Sequence, residues 1–324
     1  MNMSNDNDCK QVGAGPRACP ADGRPRGDRP YACDGATTGG SPLLIILTTF
    51  LLILSVAGMG IAGEKARIVS HLPSLTEICF ALDLGDQLVG VSDFCNWPPE
   101  AAKLPRAGGV LNPHFELVVS LKPDRVLLQN TDRGLLRRYK ALGIKTLPVK
   151  TAGIADVIDS IRLIGNEFGR KAQAAALMAK IENSFDEVKK VAEGKSQSAM
   201  IVIGHEPGSL REIYIAAKGS FHDELLAMTG GRNCFDRSLA AYPKISKEAI
   251  ISKSPEIIIL LYPQDSMSQR DIAKKKALWS PLSTVRAVKN GRICVVHGGF
   301  SMIPGPRMAR IAREFSKCVG NRQK

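Results

Sequence analysis

The sequence predicts an α/β protein of two similar lobes, joined by a long helical segment, with a cleft between the lobes. Three observations predict it. One pattern occurs twice: Glu116 and Glu248 each lead a run with Ser at +4, Pro at +7 and an acid at +8, followed by an apolar stretch. Ser74 and Ser220 form a second pair, each with an acid at +3 (Glu77, Asp223) and Gly at +11 (Gly85, Gly231). Repetition of this kind points to two lobes of one design, and a cleft between lobes is a usual place for a ligand. The second observation is an alternation of short apolar strands with amphipathic helices, the signature of a mostly parallel sheet covered by helices. The third is an extended helical pattern in mid-chain.

The elements follow in order. Arg67–Ser70 reads as a strand. Ser74-Leu75-Thr76-Glu77 reads as a capping box that starts a helix running to about Asp83 and stopping at Gly85. Gln87–Ser92 is a strand, and Trp97-Pro98-Pro99 marks a loop. His114–Leu121 is a short helix, Arg125–Gln129 a strand, Gly134–Leu142 a helix stopped by Gly143, and Ile144–Val149 a strand. From Ile154 to Glu193 apolar residues recur at helical spacing (Ile154, Val157, Ile158, Ile161, Ile164; then Leu177, Ile181, Phe185, Val188), with Gly165 and Gly169 as the points where the helix bends or breaks. Such a spar spans both lobes and restricts their relative motion. Ala199–Gly204, Glu212–Ala216, Ile257–Tyr262 and Arg292–Val296 read as strands of the second lobe, and Phe221–Met228, Lys247–Ser252 and Arg307–Val319 as its helices.

The chain has 324 residues, enough for two substantial cores, and its 44% hydrophobic content is that of a globular protein. Residues 1–42 are rich in Gly, Pro, Asp and Arg without apolar periodicity and read as a disordered tail. Residues 43–63 carry no charge and follow Arg24, Arg26 and Arg29. Two readings compete for them: a cleavable signal peptide with Gly60-Ile61-Ala62 near its end, or an uncleaved anchor of bilayer-spanning length. Either puts the remaining chain on the outer side of the inner membrane, in the periplasm. No Cys follows the segment at a lipid-attachment spacing.

The first 63 residues hold five basic and five acidic side chains, so the rest keeps the whole net charge of +13. That charge attracts anions or an acidic membrane surface. Scattered basic residues on an exported domain do not suit nucleic acid. Five cysteines follow the tail (Cys79, Cys95, Cys234, Cys294, Cys318), an odd number with no C-x-x-C. Cys79 lies on an apolar helical pattern and reads as a buried small hydrophobe. Gly58-Met59-Gly60-Ile61-Ala62-Gly63 matches a dinucleotide fingerprint in letters only, because a strand rather than a helix follows it. The chain lacks a Walker A motif and a G-x-S-x-G elbow, and His205-Glu206 does not extend to H-E-x-x-H.

A resemblance now becomes specific. Pro73-Ser74-Leu75-Thr76-Glu77, Gly90-Val91-Ser92-Asp93, Pro98-Pro99-Glu100, Leu121-Lys122-Pro123-Asp124 and Leu142-Gly143-Ile144 occur in order. Phe221-His222-Asp223-Glu224-Leu225-Leu226, Gly230-Gly231-Arg232-Asn233 and Tyr242-Pro243-Lys244-Ile245-Ser246 follow in the second half. In order and spacing they resemble the class III periplasmic solute-binding proteins of ABC importers, the vitamin B12 and ferric-siderophore group, over about residues 66–320, and most of all its cobalamin-binding branch. The branch's Trp near position 110 is Val110 here, and Tyr242 stands where Trp is frequent.

The resemblance implies two Rossmann-like lobes, 66–152 and 197–320, joined by a linking helix over 153–194. It implies a monomer that binds without catalysis or a cofactor of its own. The ligand is a metal chelate, a corrinoid first and a ferric siderophore or haem second, handed to a permease and its ATPase. A membrane-anchored sensor or enzyme domain on the same fold is the alternative of another class. Glu116 and Glu248 match the surface glutamates that meet permease arginines. Pro73, Phe94, Trp97, Asn112, His205, Tyr242, His297, Phe300 and Arg307 fall on strand-to-helix loops, where such sheets bind ligands. Phe94 and Tyr242 suit a corrin or porphyrin face, Arg211 and Arg307 a carboxylate or phosphate, and His71, His205 or His297 an axial position on cobalt or iron.

Overall fold

The computed structural model describes residues 65–320 except 110, 111, 193, 195, 238 and 239. The tail, the apolar segment 43–63 with its glycine pattern, Val110 and Glu193 lie outside the described residues. Among the described residues no helix is long and apolar enough to cross a membrane.

The first lobe comprises β1 (Ile68–Ser70), α1 (Pro73–Ala81), β2 (Leu88–Val91), α2 (Phe115–Ser120), β3 (Arg125–Gln129), α3 (Arg133–Ala141) and β4 (Thr146–Val149). Its sheet has the order β2-β1-β3-β4, and every pair is parallel. Two helices follow, α4 (Ile154–Glu167) and α5 (Lys171–Ala192). The second lobe holds β5 (Gln197–Gly204), β6 (Ile213–Ala216), α6 (Phe221–Met228), β7 (Gly231–Asn233), β8 (Lys244–Ile245), α7 (Lys247–Lys253), β9 (Ile257–Tyr262), α8 (Gln269–Ala277), α9 (Arg286–Lys289), β10 (Ile293–His297) and α10 (Met308–Gly320). Its sheet runs β10-β9-β5-β6-β8, with β7 beside the start of β5. β5, β9 and β10 are parallel, while β6 and β8 join antiparallel at one edge.

Pleating sorts the strand residues between two faces. In β9, Ile257, Ile259 and Leu261 enter one core, and Ile258 and Leu260 enter another. In β1, Ile68 and Val69 separate in the same way. The core on the inner faces is continuous. It runs from Ile68, Leu75 and Ile78 of the first lobe through Ile161, Ile164, Ile181 and Phe185 of the linking helices to Phe221, Ile259 and Phe315 of the second. Each sheet has a separate outer core, centred on Tyr139 in one lobe and Trp279 in the other.

Four details complete or correct the expectations drawn from the residues. The helical stretch is two helices, interrupted at one of the two glycines expected to break it. It breaks at Gly169 (φ +68°), and Arg170 N–H donates to Gly165 O at 2.6 Å to turn the chain. A Cβ on Gly165 would lie 2.5 Å from that of Ala174, so glycine lets α4 and α5 pack closely. The remaining α5 alone is roughly 33 Å long at 1.5 Å per residue. Second, Ser74 does not cap α1. Pro73 occupies the first helical position, the N-cap is Leu72, and Glu77 is drawn to Arg307. The repeated Ser220 does cap α6, accepting from Asp223 N–H at 3.1 Å. Third, α8 has no periodic apolar stripe to betray it, because it buries no residue; its signal is the Ser268 cap, which accepts from Asp271 N–H at 3.1 Å. Fourth, Cys294 and Cys318 form a disulfide that ties β10 to α10, leaving Cys79, Cys95 and Cys234 free and buried.

Two buried histidines make the fold sensitive to acid. His71 shares a 2.5 Å hydrogen bond with the Tyr139 hydroxyl, and His222 Nε2–H donates to Ser301 O at 2.9 Å. Burial pulls the pKa of each down to about 4. The folded protein therefore holds both imidazoles neutral where the unfolded chain already binds protons, below an ordinary value of about 6.5. This stability is complete above about pH 6.5 and is lost as pH falls toward 4, by roughly 2–3 kcal/mol per histidine near the acid end of that range. Urea unfolding at pH 7 and pH 4.5 should show a lower midpoint in acid, and His222→Gln should flatten the difference. An unchanged midpoint would refute the neutral-histidine account.

Candidate functional site

The strand-to-helix loops of both lobes meet at a cavity of about 420 Å³. Such a volume is ordinary for a small-molecule site. The first lobe contributes Leu72, Pro73 and Ser74 after β1, Gln129 at the end of β3, and Thr151 and Ala152 after β4. The second contributes Gly219 and Ser220 before α6, Ala241 and Tyr242 before β8, and Met302, Ile303 and Pro304 after β10. None of these side chains is charged. The polar groups are hydroxyls and one amide: Ser74, Ser220, Thr151, Tyr242 and Gln129, with Gln129 Nε2–H directed at Thr151 Oγ1 at 3.5 Å. Burial raises the pKa of the Tyr242 phenol, only partly offset by a hydrogen bond from Phe221 N–H, so the neutral phenol is favoured.

One ion pair ties the lobes beside this cavity. Arg307, just before α10, donates through Nε to Glu77 Oε2 at 2.9 Å and through a terminal nitrogen to Glu77 Oε1 at 2.5 Å. The side chains are 17% and 3% exposed, so the pair is largely withdrawn from water. Burial pushes the Glu77 carboxyl up, and the Arg307 guanidinium pulls against that shift. The outer side of the guanidinium faces Trp97, whose ring centre is 4.7 Å away. A second link crosses near the linker: Glu224 of α6 accepts from Ile154 N–H at 3.0 Å. A Cβ on Gly153 would lie 2.6 Å from that carboxylate, so any larger residue there would displace the Glu224 side chain.

Of the residues singled out in the sequence, Pro73 and Tyr242 line the cavity. Phe94, Trp97 and Tyr242 are exposed aromatic rings. Asn112 is exposed beside Gly109, with Phe94 close to the same glycine. His205 is engaged by the Tyr262 hydroxyl at 2.9 Å and by Glu206 O at 2.8 Å. Arg211 forms a two-point pair with Glu206 on the surface, and that contact lowers the Glu206 pKa. His297 ends β10 half-buried, with Nδ1 unpartnered. Phe300 is buried in the continuous core under Arg310. Arg307 is committed to Glu77. None of His71, His205 and His297 lines the cavity, and among the described residues no cluster of His, Cys, Asp and Glu could hold a metal ion. Gln129, Thr151, Ser74 and Ser220 went unnoticed as lining residues. The repeat carried a signal for two of them, since Ser74 and Ser220 line the cavity from opposite lobes.

Residues 68–298 match the periplasmic binding protein family. The YvrC protein of Bacillus subtilis, named an uncharacterized ABC transporter substrate-binding lipoprotein, is 28% identical over 80% of this chain and 81% of its own length. The periplasmic vitamin B12-binding protein BtuF of Vibrio cholerae superposes with a TM-score of 0.68 at 23% identity, covering 79% of this chain and 97% of that one. The periplasmic haem-binding protein HutB of the same species gives 0.68 at 18%, covering 80% and 100%. Both structures share the fold.

The ion pair between lobes generates a direct test. Removing one partner of a buried pair strands the other and costs about 3 kcal/mol or more, whereas an apolar replacement of both is far milder. Arg307→Met should lower the urea midpoint accordingly, and Glu77→Leu with Arg307→Met should recover most of the loss. A single variant as stable as the parent would show that the pair does not hold the lobes.

Proposed function

The chain belongs to the periplasmic binding protein family, and on that premise we propose that it captures a corrinoid and delivers it to the permease of an ABC importer. Members of this family bind solutes and do not transform them. The observation that carries the corrinoid reading is the absence of charge from the cavity lining. A desolvated carboxylate without a cation or several hydrogen-bond donors is costly. A corrin periphery of neutral amides instead finds hydroxyl and amide partners in Ser74, Gln129, Thr151 and Ser220. Tyr242, exposed along the rim, offers a flat face for the macrocycle. Phe94 and Trp97 add aromatic surface, and Asn112 a polar group, on the first lobe. His205, Phe300, Arg211 and Arg307 act in this reading as supports of the loops, each through the neighbour described above, while His297 stands at the end of β10 outside the lining.

Haem or a ferric siderophore is the second reading, favoured by the net charge of +13. That charge raises encounter rates with anions without providing a cation in the cavity. Haem iron would call on Tyr242 or Met302 of the lining, and the raised pKa of the Tyr242 phenol opposes the phenolate that ligation through it needs.

Export rests on residues 43–63, read as a signal peptide or an anchor, which leaves the domain free or tethered at the periplasmic face. Docking rests on Glu116 in α2 and Glu248 in α7, both exposed. Neither forms an ion pair within the described residues, and the Ser246 hydroxyl beside Glu248 holds its carboxyl ionised, the state a permease arginine would meet. Two carboxylates on separate lobes steer and orient a partner more than they add affinity.

Calorimetric titration of residues 64–324 with cyanocobalamin, haem and a panel of ferric siderophores tests the ligand. Submicromolar 1:1 binding of cyanocobalamin, weakened at least tenfold by Tyr242→Ala, is expected. Silence with cyanocobalamin and binding of an anionic chelate would transfer the assignment to iron uptake. Glu116→Lys with Glu248→Lys should abolish uptake by cells while leaving ligand affinity intact; loss of affinity would remove the docking role.

A further inference from the structure

The loop after β2, residues 92–98, displays two aromatic rings to water, Phe94 at 69% and Trp97 at 46% exposure. Such rings gain by folding down onto apolar surface, so the backbone that displays them has to be held. One side chain holds it from outside. Arg106 donates through Nη1 to Ser92 O at 3.0 Å and to Cys95 O at 2.9 Å. Through Nη2 it donates to Asn96 Oδ1 at 3.3 Å and to Ala102 O at 3.2 Å. Ala102 belongs to the turn Pro99–Lys103, so one guanidinium ties the chain before Trp97 to the chain after it. Among the described residues no carboxylate pairs with Arg106; its donors go to carbonyl and amide oxygens, and its task is geometric. The backbone on either side of Arg106 is itself laid along β2. Val91 N–H donates to Pro105 O at 2.9 Å and Ala107 N–H to Val91 O at 2.7 Å.

A second set of contacts fixes the same loop from inside. Thr76 Oγ1 lies 2.8 Å from Ser70 Oγ and 3.1 Å from Cys95 Sγ, and Ser92 Oγ lies 3.0 Å from that sulfur. Ser92 N–H donates to Ser70 O at 2.9 Å. All four of these residues are buried. Ser70 ends β1, and Pro73 and Ser74 of the cavity follow it, so the aromatic loop and the cavity loop are anchored to one network. Trp97 reaches Arg307 of the second lobe on one side.

We propose that Arg106 is a positioning residue of the ligand site, holding Phe94 and Trp97 as a preformed aromatic surface beside the cavity. This rests on the solute-binding reading above and adds to it a residue that acts from outside the lining. Ordering a loop at the moment of binding subtracts from affinity, and a loop ordered in advance avoids that loss. Lysine cannot replace Arg106: it keeps the charge but offers one nitrogen, where the guanidinium serves acceptors on both sides of Trp97 with two.

Trp97 and Trp279 are the two tryptophans of the chain, and Trp279 is fully buried, so the emission that acrylamide reaches is that of Trp97. In the purified full chain, Arg106→Lys and Arg106→Gln should each raise this quenching and lower the emission anisotropy, with a melting temperature near the parent's. Cyanocobalamin, with haem as the second probe, should bind both variants several-fold more weakly. In a chain that already carries Phe94→Ala with Trp97→Ala, Arg106→Lys should weaken binding little further, because the rings it positions are gone. Quenching and anisotropy unchanged from the parent's would overturn the anchoring. A freed Trp97 with parental affinity, or an equal loss of affinity in the chain without the two rings, would overturn the positioning role. A parent that binds neither probe would remove the ligand reading and the binding half of the proposal together, and the quenching would still support or overturn the anchoring by itself.

Discussion

The structure depends on a continuous apolar core that passes from one lobe through α4 and α5 into the other. Two sheets could each have been closed by their own helices and left to swing on a hinge. Here the inner faces of both sheets share their covering residues: Ile161, Ile164, Ile181 and Phe185 pack in the same cluster as Ile68 of β1 and Ile259 of β9. Swinging one lobe would expose surface at a cost of roughly 25 cal/mol per Å². The bidentate pair of Glu77 and Arg307 adds directional restraint where the core cannot reach, at the loops beside the cavity. Arg313 of α10 repeats the theme at the back, donating to Ser184 and Glu187 of α5. Lobes that share a core in this way resist hinge motion about the linking helices.

That rigidity gives meaning to the contrast between the chain's charge and its cavity. The protein carries +13 overall, yet the lining has no charged side chain. Several charges near it are engaged internally: Arg307 with Glu77, Glu224 with the amide of Ile154, and Asp223 with the amide of Gly219. Surface charge acts over about a Debye length and governs encounter. Lining chemistry acts at contact and governs which solute stays. The two need not favour the same molecule, and here they differ in kind: the chain is strongly basic, while the side chains that line the cavity among the described residues are uncharged.

Much of the fold was legible because it obeys short-range rules. Ile257–Tyr262 and Arg125–Gln129 are runs of apolar residues bounded by turn formers, and both appear as strands over those residues. Phe221–Met228 follows a serine cap and forms as a helix over that span. What was not legible depended on contacts distant in sequence. Ser74 and Glu77 spell a capping box, but Arg307, 230 residues away, competes for the carboxylate with two charge-assisted hydrogen bonds and wins. Phe300 and Arg307 stand on loops of the right kind, and only the fold shows one folded into the core and the other spent on Glu77. The hydroxyl residues of the cavity were hidden for a different reason: Thr151 and Gln129 have no pattern of their own, and position at a strand end becomes informative only when two lobes face each other.

The internal repeat links these levels. A duplicated design places equivalent residues at equivalent depths, so the two copies report on each other. Ser74 and Ser220 have parted in local role, one inside its helix and the other capping its own, yet both reach the cavity. Helix capping is therefore not what the two positions share; facing the cavity is. Glu116 and Glu248 diverge less, each in the first turn of a short helix with a buried aliphatic at +2 and an exposed one at +3. Fold stability alone asks only for the buried member. Where a duplicated chain has drifted at most positions, agreement at exposed ones is not demanded by the fold, and that is the ground on which a docking role is proposed for the two glutamates.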